Sequence, residues 1–200
     1  WTYGRDNTVA FANELAPGSC RPWVALERRE LTVAGNARHR FRIEITVPAD
    51  APVGECRFAV MLEGLDSYKA EAGGISLPVT GRIGVIFYLT VGDGKPQLSV
   101  VAQRPEQRNQ ANAPLMLDVR NAGNATGRLD GVLSGTDAAG QRLDFAPANG
   151  PILPGETRSI ALTPLAEPGK AAPTWRLPIT LRGTLDVGTQ RLPLELAFTP

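Results

Sequence analysis

The sequence predicts an all-β protein built as two β-sandwich domains in tandem. Three observations lead there. Apolar and polar residues alternate strictly in short stretches. Proline and glycine separate those stretches, 17 and 21 of them in 200 residues, a density that favours many short strands. The only segments with helical potential are short.

The opening, WTYGRDNTVAFANEL, reads as mid-domain sequence. The chain begins at Trp1 without a methionine, a charged n-region or an apolar h-region. A processed chain with any leader removed is therefore expected. The first domain is expected to lack one or two N-terminal strands, or to receive them from another segment. ALERREL, around Glu27, reads as a turn or extended connection after Trp23.

RHRFRIEITV (38–47) is the first clear strand. Phe41, Ile43, Ile45 and Val47 point one way, and Arg40, Arg42, Glu44 and Thr46 the other, the pattern of a half-buried strand. VPADAPVGECRFAVMLEG (47–64) breaks at Pro48, Pro52 and Gly54 and resumes with Cys56, Phe58, Val60 and Leu62 in phase. RIGVIFYLTV (82–91) places Ile83, Val85, Phe87, Leu89 and Val91 on one face and Ile86 and Tyr88 on the other, so it is expected to be covered on both sides. VGDGKP (91–96) is the linker candidate and divides the chain into domains 1–93 and 94–200.

The second domain continues in the same style. PQLSVV, APLMLDVRN, RLDGVLSG, TRSIAL, TWRLPITLRG and RLPLELAF are its strand candidates. In-phase apolar sets include Leu115, Leu117 and Val119; Ile160 and Leu162; Trp175, Leu177, Ile179 and Leu181; and Leu192, Leu194, Leu196 and Phe198. About seven short strands at this spacing match an Ig-like sandwich. Pro178 and Pro193 fall at outward positions, which predicts edge strands. QRPEQRNQAN (103–112) reads as a polar loop, and NAGNATG (121–127) as a turn.

Composition narrows function. The formal net charge is +1, which argues against nucleic-acid binding. No apolar run approaches the roughly 20 residues of a membrane span, so no membrane insertion is expected. Arginine outnumbers lysine 18 to 3, which we read as a GC-rich bacterial genome.

The stretch from Trp23 to Val91 resembles the N-terminal Ig-like module of bacterial exported proteins. The carrying residues are WVALE, then LTVAGNARHRFRIEITVPADAPVGECRFAVMLEG, then GRIGVIFYLTVG. Asp50, Gly54 and Glu55 follow the tyrosine-corner pattern, with Cys56 in the tyrosine's place. DVRNAGNATG is similar to a turn of bacterial Ig-like domains. Tandem pairs of this kind resemble the two-domain periplasmic chaperones of pilus assembly. That resemblance implies a periplasmic or secreted, non-enzymatic protein that binds a protein partner by β-strand addition, either a pilin-like subunit or a strand from another chain. Members anchor a subunit carboxylate with an arginine and a lysine. This chain matches neither, and Arg82 stands at the start of the last strand of the first domain. The alternative reading is a structural or carbohydrate-binding accessory region of a larger secreted protein.

Cys20 and Cys56 are the only cysteines. An even count in a chain expected to be exported points to a disulfide, with two buried thiols as the alternative. His39, the only histidine, lies between arginines with no nucleophile motif near it, and a half-buried strand-end position is expected. Glu14, Glu27, Glu30, Glu44, Glu55, Glu63, Asp66 and Glu71 lack calcium-loop spacing. VGDGKP and the pair at Gly73 lack the phosphate-loop context. Asn124-Ala-Thr126 matches a glycosylation sequon but reads as a turn. Arg38, Arg40 and Arg42 read as a solvated face. No catalytic, metal or cofactor residue is expected. The candidate partner-binding residues are Arg82, Ile83, Val85, Phe87 and Leu89, with a filled domain core as their other reading.

Overall fold

The computed structural model describes residues 1–4, 8–16, 18–65, 68–72, 75–107, 112–166 and 168–200. The described chain is all-β, with one 3-10 turn and no α-helix. It divides into two compact units, one ending at Val91 and one running from Gly92 to Pro200.

In the first unit β1 (Thr2–Tyr3) pairs with β2 (Val9–Ala10). The 3-10 turn, Arg21–Trp23, leads into β3 (Val24–Leu26), which pairs with β4 (Ile43–Ile45). Then come β5 (Gly54–Glu63), β6 (Tyr68–Ala72), β7 (Ile75–Val79) and β8 (Arg82–Val91). β6 and β7 form a hairpin. β5 and β8 pair antiparallel over all ten residues, from Gly54 opposite Val91 to Glu63 opposite Arg82.

Residues opposite one another in such a ladder share a face. One face carries Cys56, Phe58, Val60 and Leu62 against Leu89, Phe87, Val85 and Ile83. Phe58 and Phe87 stack with ring centroids 4.7 Å apart. The other face carries Arg57, Ala59 and Met61 against Tyr88, Ile86 and Gly84. At Gly54 the backbone takes φ 139°, a value closed to residues with a side chain. That explains the glycine at the corner where the strand restarts.

A disulfide joins Cys20 to Cys56, with Cα atoms 5.5 Å apart. It ties the residue capping the 3-10 turn to the start of β5. Among the described residues of this unit, the buried apolar side chains are Cys20 and Phe58 alone.

The ten-residue strand expected over 38–47 is only three residues long. Among the described residues its ladder partner is β3, which offers three residues. Beyond that ladder Val47 is exposed, and Ile45 lies at the margin of exposure. Alternation prepared a face, but only its first half, Phe41 and Ile43, is partly covered.

The second unit contains β9 (Leu98–Pro105), β10 (Leu115–Asn121), β11 (Asp130–Thr136), β12 (Arg142–Pro147), β13 (Thr157–Pro164), β14 (Ile179–Val187) and β15 (Gln190–Phe198). They form one antiparallel sheet in the order β15-β14-β11-β12-β13-β10-β9. The run β14-β11-β12-β13 has the Greek-key order. β9 and β15, at the two ends, approach one another, so the sheet curls almost closed. Its inward positions fill one core, with Leu115, Leu117, Val119, Leu133, Phe145, Leu162, Ile179, Leu181 and Phe198 all buried.

Asn121 closes the NAGNATG turn. Its Oδ1 accepts from the backbone N–H groups of Gln97 (3.1 Å) and Gly123 (3.0 Å). Its Nδ2 donates to the carbonyls of Ala125 (2.8 Å) and Ile152 (2.9 Å). A fully buried amide is tolerated because all four of these bonds are made.

Three expectations for this unit change. β12 was not among the strand candidates. Gln103–Pro105, expected as loop, extends β9, while residues 108–111 of that stretch lie outside the described residues. Pro178 precedes β14 across a cis Leu177–Pro178 bond, and β14 is an interior strand. It therefore marks no edge. Pro193 does: it sits in β15, at the end of the sheet, opposite Thr184.

Candidate partner-binding face and adjoining cavity

β8 holds all five candidate partner residues. Arg82 and Ile83 open it, with Ile83 64% exposed. Val85 is 41% exposed, while Phe87 and Leu89 are half-buried. The disulfide end of this face is therefore covered and the far end is open. Leu62, opposite Ile83, is also exposed. Leu65, just beyond β5, is 82% exposed. Sequence reasoning did not single out Leu62 or Leu65 for this role, although Leu62 shares the phase of Ile83.

Among the described residues β8 pairs with β5 only, so its other edge carries no ladder. From Ile83 to Val91 that edge has neither a charge nor a proline. The end strands of the second unit differ. β15 contains Arg191, Pro193 and Glu195, and β9 contains Arg104 and Pro105. Charges and prolines are the usual guards of an open edge.

The opposite face of the β5–β8 pair is covered by the N-terminal segment. The Trp1 indole N–H donates to the Phe58 carbonyl at 2.9 Å. Its ring meets Tyr3 and Tyr88 edge-on at 5.3 and 5.1 Å. The hydroxyls of Tyr3 and Tyr88 are bonded at 2.8 Å. The Phe11 ring lies against Gly84, where any side chain would collide with it. The Arg57 guanidinium sits 5.4 Å from the Trp1 ring centroid, a cation–π contact. Trp1, Phe11, Arg57 and Arg82 line a cavity of about 180 Å³ here. Arg57 was not a sequence candidate; its outward phase on β5 resembles that of any solvated arginine.

The remaining candidates separate in space. His39 is exposed and lies outside any strand, which corrects the half-buried strand-end position. The short β4 ends the ladder before reaching it. It lines a shallow groove with Arg29, Glu30, Phe41 and Leu62. Arg38, Arg40 and Arg42 are all exposed. Asp66, Gly73 and the side chain of Glu71 fall outside the described residues. Among the described residues no group of three or more His, Cys, Asp or Glu is placed to hold a metal ion. Nor is any helix there long and apolar enough to cross a membrane.

In the second unit Asp137, Asp118, Asn124 and Trp175 are held by contacts within the unit. Asp137 is buried, and its carboxylate accepts backbone N–H bonds from Gln141 (2.9 Å), Arg176 (2.9 Å) and Ala139 (2.9 Å). The Gln141 bond, helped by those of Arg176 and Ala139, holds its carboxyl below the ordinary value despite burial. Asp118 binds Arg104 at 2.6 Å and the Ser159 hydroxyl on the outer surface of the sheet. Asn124, in the sequon, accepts from the Lys95 backbone N–H at 2.9 Å, as a turn residue does. Trp175 is buried against Phe145, inward as its phase indicated, and offers no surface platform for a sugar.

Compared with protein-family models, with curated proteins and with solved structures, the chain matches none.

Proposed function

We propose that the chain is a non-enzymatic, exported binding or assembly protein that takes up a partner polypeptide by β-strand addition along β8. One observation carries the reading: among the described residues the ten-residue β8 has a ladder on one edge only, with no charge or proline from Ile83 to Val91, next to the exposed Ile83, Val85 and Leu62. Backbone groups on such an edge gain a full ladder from an added strand, and alternate side chains of that strand reach the apolar face. The partner is an extended segment with apolar residues at every second position, such as a pilin-like subunit or a strand from another chain. The disulfide supports a periplasmic or secreted setting. The Greek-key order of the second unit supports an Ig-like sandwich, and the sparse core of the first supports a sandwich that awaits a strand. Both agree with the resemblance to the chaperones of pilus assembly.

The test is amide hydrogen exchange on the whole chain with an acetylated eight-residue peptide alternating valine and threonine. Added peptide is expected to slow exchange along β8 and to leave the second unit unchanged. Val85→Lys is expected to abolish that protection. Equal exchange with and without peptide, or full protection in V85K, sinks the proposal.

A further inference from the structure

We infer that the cavity beneath the N-terminal segment is a binding site for a carboxylate group. Three cations, Arg21, Arg57 and Arg82, line it against a single anion, Glu14. Its apolar walls include Trp1 and Phe11. Its volume of about 180 Å³ equals roughly six waters of liquid, enough for a small acid or one acidic side chain.

The decisive group is Arg57. Its Nη1 is buried and has no hydrogen-bond partner among the described residues. A buried guanidinium N–H without an acceptor is rare in folded proteins and points to a missing ligand or water. The side chain is also pre-positioned. Trp1 stands behind the guanidinium, and Trp1 is itself fixed by its bond to Phe58 and its contacts with Tyr3 and Tyr88. Arg21 is held by a 2.8 Å bond from its Nη1 to the Asn13 carbonyl. A guanidinium held against a ring presents its remaining donors as a fork, which a planar carboxylate fills with two parallel bonds. The carboxylate can come from a free small acid or from an acidic side chain of a peptide. This site occupies the face of β5–β8 opposite Ile83 and Val85, so it stands or falls separately from strand addition.

The experiment follows the Trp1 indole N–H resonance of the ¹⁵N-labelled chain, disulfide intact. Sodium acetate is titrated against sodium chloride and sodium sulfate at equal ionic strength. A second arm uses the peptide acetyl-Gly-Asp-Gly-amide. Saturable shifts with acetate and not with chloride or sulfate are expected. Arg57→Met keeps the stem beside Trp1 and is expected to weaken binding about tenfold or more, the loss of a charged hydrogen bond. Arg82→Gln, at the exposed rim, is expected to weaken it several-fold without touching the fold. Saturation by acetate alone assigns a free acid as the ligand. Saturation by the peptide assigns an acidic side chain. Linear drift matching chloride means a cavity that holds water only and overturns the inference. So does an unchanged midpoint in R57M or, should that variant not fold, in R82Q.

Discussion

The second unit buries eighteen apolar side chains in one cluster, whereas the first buries only Cys20 and Phe58 among its described residues. Both are built from strands with the same period-two pattern. The difference lies in closure. Seven strands of the second unit curl until their ends meet, and every inward side chain finds neighbours. The first unit consists of strand pairs, held by one covalent bond and a set of aromatic contacts. Of its exposed apolar residues, Leu62, Leu65, Ile83 and Val85 lie at the open end of β5–β8, while Leu15, Leu26, Val33, Val47 and Val53 lie elsewhere on the unit. A nearly closed seven-stranded sheet thus fills its own core, while a set of two-stranded pairs leaves much of its apolar surface uncovered.

That contrast can be broken first at the core. Phe145→Ala in the second unit is expected to cost about 3–5 kcal/mol, read as a shift of its urea transition, with the first unit's probes unmoved. If both units unfold together, they are not independent. Next comes the covalent link. Replacing Cys20 and Cys56 by serine opens a loop spanning 36 positions, expected to cost the first unit about 3–4 kcal/mol. Hydrogen exchange on β5 and β8 should rise, while exchange on β10 and β13 should not.

Smaller in size is the acid response of the second unit. The folded Asp137 carboxyl titrates below its ordinary value. Its contribution is present above the unfolded value, near pH 4, and is lost as pH falls through the lowered one. Asp137→Asn is expected to flatten the fall in stability below about pH 4, measured by thermal unfolding across pH. The smallest effect sharpens the contrast most. Ile83→Ala is expected to change the stability of the first unit by no more than about 0.5 kcal/mol, although Ile83 is a large apolar strand residue. A loss near that of Phe145→Ala would show Ile83 to be core.

Much of the second unit was readable because each strand carries its own alternation. Leu115, Leu117 and Val119 are in phase in the sequence and all buried in the fold. β12 escaped because only Leu143 and Phe145 alternate before Pro147, too few to stand out from loop. In the first unit the same reading overreached at 38–47. Alternation records which face a strand would bury, but not whether a partner exists to cover it. The disulfide was readable because two cysteines permit one pairing. The cavity was not. Trp1 and Arg57 lie far apart in the sequence, and an arginine at an outward position on a strand gives no local sign that its guanidinium will be enclosed.

The strand order of the second unit also fixes how it carries load. Six antiparallel steps separate β9 from β15, an even number, so the two strands run in the same direction. The polypeptide therefore enters this sheet at one end of its strands and leaves at the opposite end. Tension between those points acts along the strands and across their rows of hydrogen bonds, which lie perpendicular to it. Such a pull would load the rows together in shear rather than peel them one at a time.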